Sequence, residues 1–343
     1  MAAPLAKIGI ISIGDMGVGI AKLLVANGFS VATNANGRSN DTLERAKSAQ
    51  VELLDSDEAL VRQCAVILSV VPPRDAVATA QRIADALSIS GRDNDDNNNN
   101  NNTPLYFADL NAVSPSTVKR IAALFDSRED GLPAPVPAPV RFVDGSILGG
   151  PPKPKPVDAG ADATGSSTQW SLPHIPTSGP HQLSAIPVFG PRLAATLNAR
   201  HISGAIGAAS GLKMCFGGLS KGLTAIAVQS FATAARLGVL GELRAELGAV
   251  LPRHLELAER GVVGMAPKAY RWAGEMEEVA CTLAEEGGFD PDTFVGAAKT
   301  YRLVADDTVL GREKVGKRVR GTTVEDVADA VAEGLRTKRK KND

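Results

Sequence analysis

Two patterns of apolar and polar positions divide the chain. From Lys7 to Ser203, short unbroken apolar runs alternate with stretches whose apolar residues recur at helical spacing; beyond Gly211 only the helical spacing remains. Lys7–Ile13 (KIGIISI) is an isoleucine-rich run suited to a strand buried on both faces of a parallel sheet. Val18–Asn27 follows with helical periodicity up to Gly28, and Phe29–Thr33 is the next strand, so the chain opens as β-α-β. The same signals predict strands at Val51–Leu54, Ala65–Val71, Leu105–Leu110, Val140–Val143, Ser184–Phe189 and Arg200–Ser203. They predict helices at Asp41–Ala49, Asp57–Gln63, Asp75–Leu87 and Thr117–Phe125. Pro72 and Pro73 stop the third of the long apolar runs, and Ser114-Pro115 reads as an N-cap followed by proline at the first helical position.

After Gly211 the helices expected are Leu212–Leu237, Leu240–Leu251, Arg253–Arg260, Ala269–Glu286, Asp292–Ala305 and Val324–Leu335. The first of these is small or apolar almost all round, as in a helix packed on most sides. The fold class that follows is α/β: alternating strands and helices with a βαβ opening, then an all-helical C-terminal half. The boundaries predicted are 1–209, 210–335 and a basic tail at 336–343. Ser88–Asn102 has almost no apolar side chain and is expected to be a disordered insertion. Leu132–Pro139 and Pro151–Gln182 are rich in proline or in small polar residues and are expected to be loops, the second long and partly mobile.

At 343 residues the chain is long enough for two cores. Aromatics make up 4% of it, so those cores rest on Ala, Val, Leu and Ile. A formal net charge of −1 supplies no field that would draw the protein to nucleic acid or to an anionic membrane, and neither partner is expected. No apolar run reaches the roughly 18–20 residues of a membrane span, and the N-terminus does not carry the pattern of a secretory signal. Cys64, Cys215 and Cys281 are odd in number and lie in apolar periodic segments, which fits reduced thiols in a cytoplasmic setting. Arg336–Lys341 (RTKRKK) is expected to be a solvated, frayed terminus, with a nuclear localisation signal as the other reading. His174, His181, His201 and His254 show no ligand spacing, and no metal is expected.

The first candidate for chemistry is the turn after the first strand, Ser12-Ile13-Gly14-Asp15-Met16-Gly17. It is a G-x-G-x-x-G dinucleotide fingerprint with serine in the first glycine's place. Gly14 can let backbone approach a pyrophosphate, Gly17 can let the helix pack closely on the strand, and the helix N-terminus favours the phosphates. The end of the second strand, from Asn34, has no acid before Asp41; it offers Arg38, a planar cationic fork, and the Ser39 hydroxyl. A carboxylate there would select the free ribose of NAD, whereas an arginine accommodates a 2′-phosphate, so NADP(H) is the preferred cofactor and NAD(H) remains admissible.

The order of five motifs resembles the β-hydroxyacid dehydrogenase family, which includes 6-phosphogluconate and 3-hydroxyisobutyrate dehydrogenases. They are IGIISIGDMG at Ile8–Gly17, VILSVVPP at Val66–Pro73, ADLNAVSPST at Ala108–Thr117, VDGSILGG at Val143–Gly150 and GAIGAASGLK at Gly204–Lys213. AYRWAGEMEEVA at Ala269–Ala280 is similar to a branch of 6-phosphogluconate dehydrogenase-like proteins with a distinct helical C-terminal domain. The resemblance covers most of the chain and implies an N-terminal Rossmann doubly wound sheet joined by a long interdomain helix to the all-helical C-terminal domain, a small hydroxyacid-type substrate between the domains and a homodimer formed through the helical domain. It implies that Lys213 is the general acid/base on the substrate oxygen while hydride passes to or from the nicotinamide, and that Val71, Pro72 and Asn111 lie along the cofactor. Burial, a neighbouring cation or a nearby helix start would suit a lysine to that role. Gly149 and Gly150 would leave backbone open to substrate. Two departures stand out: Leu148 aligns with the family's carboxylate-contacting serine, which Ser146 is expected to replace, and Gly217 aligns with its substrate-holding asparagine. On the later helix, Arg271, Glu275 and Glu278 share a face, with Arg271 the candidate for a substrate carboxylate. An imine or carbonyl reductase, and a non-catalytic NADP(H)-binding protein, are the alternative functions.

Overall fold

The computed structural model describes residues 3–34, 36–90, 104–126, 140–155, 169–313 and 316–342. Its contacts divide the chain into two compact units, Met1–Lys213 and Met214–Asp343.

The first unit is the α/β part. Its elements run β1 (Lys7–Ile11), α1 (Asp15–Ala26), β2 (Ser30–Asn34), α2 (Asn40–Ser48), β3 (Glu52–Leu54), α3 (Asp57–Gln63), β4 (Val66–Ser69), α4 (Pro73–Ser90), β5 (Leu105–Asp109), α5 (Pro115–Ala123) and β6 (Val140–Gly145). These six strands pair in parallel in the order β3-β2-β1-β4-β5-β6, the strand order of a dinucleotide-binding sheet with its reversal between β1 and β4. Ile8, Ile10, Val66, Leu68 and Ala108 face one core with α1 and Ala46 of α2; Ile11, Ile67, Leu105 and Phe107 face the other with α3, α4 and α5. Burial on both faces is why these strands appear in the sequence as unbroken apolar runs. Ser114 caps α5 as expected, its hydroxyl accepting from the Thr117 amide at 3.2 Å with Pro115 next in line.

Two expectations fail at the edge of the sheet. Within the span taken for a loop, a short antiparallel pair, β7 (Lys153–Pro154) and β8 (Trp170–Ser171), is followed by β9 (Ile175–Ser178). β9 joins the main sheet antiparallel to β6, with Asp144 opposite Ser178 and Gly145 opposite Thr177. The apolar stretch Ser184–Phe189 is not a strand: Leu183–Ala185 is a 3₁₀ turn, Val188 takes a φ of +71°, and the chain enters α6 (Gly190–Leu197), a helix the sequence pattern did not suggest. Ile186 and Phe189 bury themselves from this turn. β10 (Ala199–Ser203) then closes the edge parallel to β9. The expected insertion at Ser88–Asn102 begins later than supposed, since α4 continues through Ser90; residues 91–102, the proline-rich stretch at 132–139 and positions 156–168 lie outside the described residues.

α7 (Ala208–Gly217) contains the boundary between the units. The helix expected as one continuous rod changes to a π-helical turn at Gly218–Gly222 before α8 (Leu223–Leu237). The second unit continues with α9 (Leu240–Val250), α10 (Pro252–Met265), α11 (Ala269–Glu285), α12 (Asp292–Asp307) and α13 (Val324–Asn342). α11 and α12 pack as a pair, and α8 packs on α10, α12 and α13 around Phe231, Val262, Met265, Met276, Tyr301 and Val327. Backbone of the basic tail continues α13 rather than fraying, and Lys338 reaches Asp307 at 2.8 Å.

Candidate functional site

All six parallel strands end on one edge of the sheet, and every expected residue of the first unit except Lys213 lies in the segments leaving that edge. Lys213 arrives there on α7.

The β1–α1 turn is built around Ser12, whose φ of +78° is the left-handed conformation that the fingerprint's first glycine normally supplies. Holding serine there costs about 1–2 kcal/mol. A Cβ on Gly17 would stand 2.1 Å from the Ser12 carbonyl oxygen, so the turn closes over α1 only with glycine at that position. Gly14 is different: nothing but the Ser12 Oγ, at 3.9 Å, comes near the place of its Cβ. The amides of Asp15, Met16 and Gly17 precede the first bond of the helix, from the Val18 amide to the Gly14 carbonyl at 2.9 Å. The Asp15 side chain is exposed and Ile13 is buried. A concave backbone with open space over Gly14 and amides at a helix start fits a pyrophosphate. No sequence pattern marks Arg45, on α2, whose Nε donates to the Ile13 carbonyl at 2.8 Å and ties the turn to the next helix.

At the end of β2, Arg38 and Ser39 are exposed, and the Ser39 hydroxyl lies 3.2 Å from that of Thr42. Asn34 is committed elsewhere: its Nδ2 donates to Asp57 at 2.9 Å and its Oδ1 accepts from the Asn36 amide at 3.0 Å. Asn34, Asn36, Asp55, Asp57, Glu58 and Arg82 line an open cavity of about 330 Å³, in which Arg82 is paired with Asp57 at 2.7 Å.

Between these turns and α7 lies a buried polar net. Asn111 accepts the Val71 amide on Oδ1 at 2.7 Å and donates through Nδ2 to Ser69 at 3.0 Å and Asp109 at 2.9 Å. It therefore holds the β4 exit, where Val71 and Pro72 are half-buried, to the end of β5. Burial pushes the Asp109 carboxyl up to about 7, against the pull of its hydrogen bonds from Asn111.

Lys213 donates from Nζ to the Ile147 carbonyl at 2.5 Å, just past the end of β6. β6 and β1 are separated by β5 and β4, so three strand spacings, about 14 Å, part that exit from the Ser12–Gly17 turn. Gly149 and Gly150 are exposed, Gly149 at a φ of +121°, and nothing lies within 4 Å of a Cβ on Gly150. Leu148 pairs its backbone with His174. The expected use of Ser146 is not what its surroundings favour: the residue is fully buried and its hydroxyl donates to the Ala209 carbonyl at 2.8 Å, inside the packing of α7 rather than toward open space. Asp144 and Ser178, which the sequence did not single out, take the first amides of α7.

Two expected residues belong to the second unit. Gly217 is buried, with Val279 of α11 at 3.8 Å from the place of its Cβ. Arg271 is exposed, its Nε 3.9 Å from Glu275, which also pairs with Lys221 of the π turn. Lys221 lies 5.2 Å from the ring of Trp272, and Tyr301 donates to the Lys221 carbonyl at 2.5 Å. Among the described residues no cluster of three or more His, Cys, Asp or Glu could hold a metal ion, and no helix is long and apolar enough to cross a membrane.

Residues 7–90 match a family model described as NADP oxidoreductase, coenzyme F420-dependent, and residues 234–304 match a domain of unknown function. Comparison with curated proteins gives no match. Among solved structures, a 3-hydroxyisobutyrate dehydrogenase of Mycobacterium tuberculosis with L-serine is 16% identical, with a TM-score of 0.60 over 97% of this chain and 99% of that one. A conserved hypothetical protein of Sinorhizobium meliloti 1021 is 21% identical, with a TM-score of 0.58 over 96% and 97%. Psf3 in complex with NADP+ and 2-OPP is 15% identical, with a TM-score of 0.55 over 88% and 93%. The chain thus has the fold of the 3-hydroxyacid dehydrogenases, with an NADP-oxidoreductase-type segment at its N-terminus and an unassigned domain type within its helical unit.

Proposed function

We propose that the protein is an NADP(H)-dependent oxidoreductase acting on a small hydroxyacid-type substrate, with Lys213 as its general acid/base. The observation that carries this reading is the arrival of the Lys213 amine at Ile147, on the same sheet edge as a turn shaped for a pyrophosphate. Backbone amides of Asp15, Met16 and Gly17 would hold the phosphates over Gly14, and Val71, Pro72 and Asn111 would border the path toward β6. A ribose 2′-phosphate would be met by Arg38 and Ser39, since the neighbouring cavity sets the acids Asp55, Asp57, Glu58 and Asp85 against the single base Arg82. When bound, the nicotinamide would take up the hydride in the oxidation direction and supply it in the reduction. The chain's own task is then the proton: Lys213 takes it from a substrate hydroxyl or returns it to a carbonyl oxygen. The exposed backbone at Gly149 and Gly150 gives the substrate room beside that amine.

The experiment is turnover of hydroxyacids, ketoacids and cyclic imines with NADPH and NADP+. Lys213→Ala should abolish turnover while NADPH affinity stays within about twofold; a fully active variant refutes the lysine's role. A carbonyl or imine reductase is the second reading, because Leu148 and Gly217 offer no polar side chain and the Ser146 hydroxyl is engaged by Ala209. Turnover of imines but not of hydroxyacids would decide for it. The three cysteines form no disulfide, in keeping with a cytoplasmic setting. Homodimerisation through the second unit is supported by exposed Leu219 (82%), Ile226 (58%) and Val250 (71%), and light scattering at the monomer mass would refute it.

A further inference from the structure

We propose that Asp144 is the positioning residue for Lys213, acting by capping the helix that carries it. This rests on the reading of Lys213 as acid/base, but its test does not.

α7 has no cap side chain of its own, because Gly207 stands just before its first residue, at a φ of +103°. The first amides of a helix need partners, and where no cap residue supplies one they are met by backbone, water or side chains from elsewhere. Here they come from the sheet. Asp144, fully buried on β6, accepts on Oδ2 from the Gly207 amide at 2.8 Å, the Ser210 amide at 3.4 Å and the Ser178 hydroxyl at 2.7 Å. Its Oδ1 accepts from the Ser210 hydroxyl at 2.7 Å. Ser178, buried opposite it on β9, takes the Ala209 amide at 3.0 Å. A carboxylate among helix-start amides is the strong form of a cap, since both the charge and the hydrogen bonds favour it.

The consequence for Lys213 lies in the spacing. Asp144 holds α7 at Gly207 and Ser210, and Ile147, three residues further along the same strand exit, receives the amine of Lys213, three residues beyond Ser210. The β6 exit thus grips the helix at two successive levels. Pro115 packs beside the same turn, 3.2 Å from the place of a Cβ on Gly207, so the helix is held from a second side. An amine on a long flexible side chain needs its backbone fixed before it can serve one substrate atom, and Asp144 fixes it.

Asp144→Asn keeps the shape but turns one acceptor into a donor facing donors, and Ser210→Ala removes a single bond to the same carboxylate. The test is acylation of each protein by acetic anhydride at neutral pH, with Lys213 measured against Lys7 by peptide mass spectrometry. Lys7 is a suitable internal reference because it is partly buried on β1 and paired with Glu52 at 2.8 Å, so general loosening of the unit frees it as well. The Lys213-to-Lys7 ratio should change roughly tenfold in Asp144→Asn, as the loss of one charged hydrogen bond allows, and less in Ser210→Ala. NADPH affinity, which depends on the β1–α1 turn, should stay within about twofold of wild type in both. A ratio equal to wild type in both variants overturns the proposal, and so does a change that Lys7 shares. Should Asp144→Asn fail to fold, Ser210→Ala alone decides between these outcomes. The catalytic role of Lys213 is judged separately, by turnover in Lys213→Ala.

Discussion

Gly14 and Gly17 stand three residues apart in one turn, and alanine at each should fail in a different way. At Gly17 the new Cβ would begin 2.1 Å from the Ser12 carbonyl oxygen, so the turn or the helix has to move by about an ångström. Overpacking of that kind costs about 1–3 kcal/mol, of which the better helix propensity of alanine returns up to about 1. At 2–4 °C per kcal/mol for a unit of this size, a net loss centred on about 1.5 kcal/mol should make Gly17→Ala melt about 3–6 °C lower. At Gly14, φ is −76° and the place of the Cβ is open, so the fold loses no more than the preference for glycine over alanine at an N-cap, up to about 1 kcal/mol. A pyrophosphate over Gly14 would nevertheless lose an approach worth about 1.5–3 kcal/mol, or 10–100-fold in affinity. The assay is thermal unfolding with and without NADPH. At a hundred times the wild-type Kd, NADPH adds about 2.7 kcal/mol to the wild type but only about 0.9 kcal/mol to a variant bound thirtyfold more weakly. Gly14→Ala should therefore melt near wild type without ligand and gain about a third of the wild-type shift with it. A full NADPH shift in Gly14→Ala would refute the placement of phosphates on this turn.

Two further results are expected. Arg38→Ala should raise the KM for NADPH about tenfold and leave that for NADH within about twofold; an equal effect on both refutes the assignment of Arg38 to a 2′-phosphate. Burial holds the Asp109 carboxyl at about 7 in the folded protein, above its ordinary value of 3.8, so the folded state binds this proton more tightly than the unfolded chain. That contribution is complete below about pH 4 and is lost as the pH rises through about 7. The urea midpoint should accordingly fall across this range, by less in Asp109→Asn, and equal slopes in the two proteins would refute the cause.

What could be read from the sequence follows from how local each signal is. β1, β4 and β5 are buried on both faces, so each shows as an apolar run needing no knowledge of its neighbours. β9 reads Ile-Pro-Thr-Ser, with a proline and two hydroxyls, and nothing local marks it as a strand. Pairing makes it one: Ser178 and Thr177 lie opposite Asp144 and Gly145, more than thirty residues away in the chain. Ser184–Phe189 misleads in the opposite sense, because its apolar side chains reach the core from a tight turn around Pro187 rather than by alternation along a strand. The π turn at Gly218–Gly222 was hidden for the same reason as β9. Phe294 lies 3.2 Å from the place of a Cβ on Gly218 and 3.0 Å from that on Gly222, and Tyr301 satisfies a carbonyl within the turn.

The candidate site divides along the same line. Gly14, Gly17 and Lys213 announce themselves because their requirement is intrinsic: bare backbone at a turn, and an amine set among small and apolar residues. Ser146 and Asp144 were misjudged or missed because two neighbouring polar residues on one strand exit cannot be assigned until the helix above them is in place. Both turn out to serve α7, Ser146 through the Ala209 carbonyl and Asp144 through the Gly207 and Ser210 amides, while the backbone that follows them receives the lysine. With Asp144 and Ser146 holding the helix, this strand exit would leave its carbonyls, Leu148 and its two glycines to face a substrate. Selectivity at this edge would then depend on the shape around Gly149 and Gly150 more than on a polar side chain from β6, so replacing Gly150 by alanine should discriminate among substrates where Ser146→Ala acts on stability.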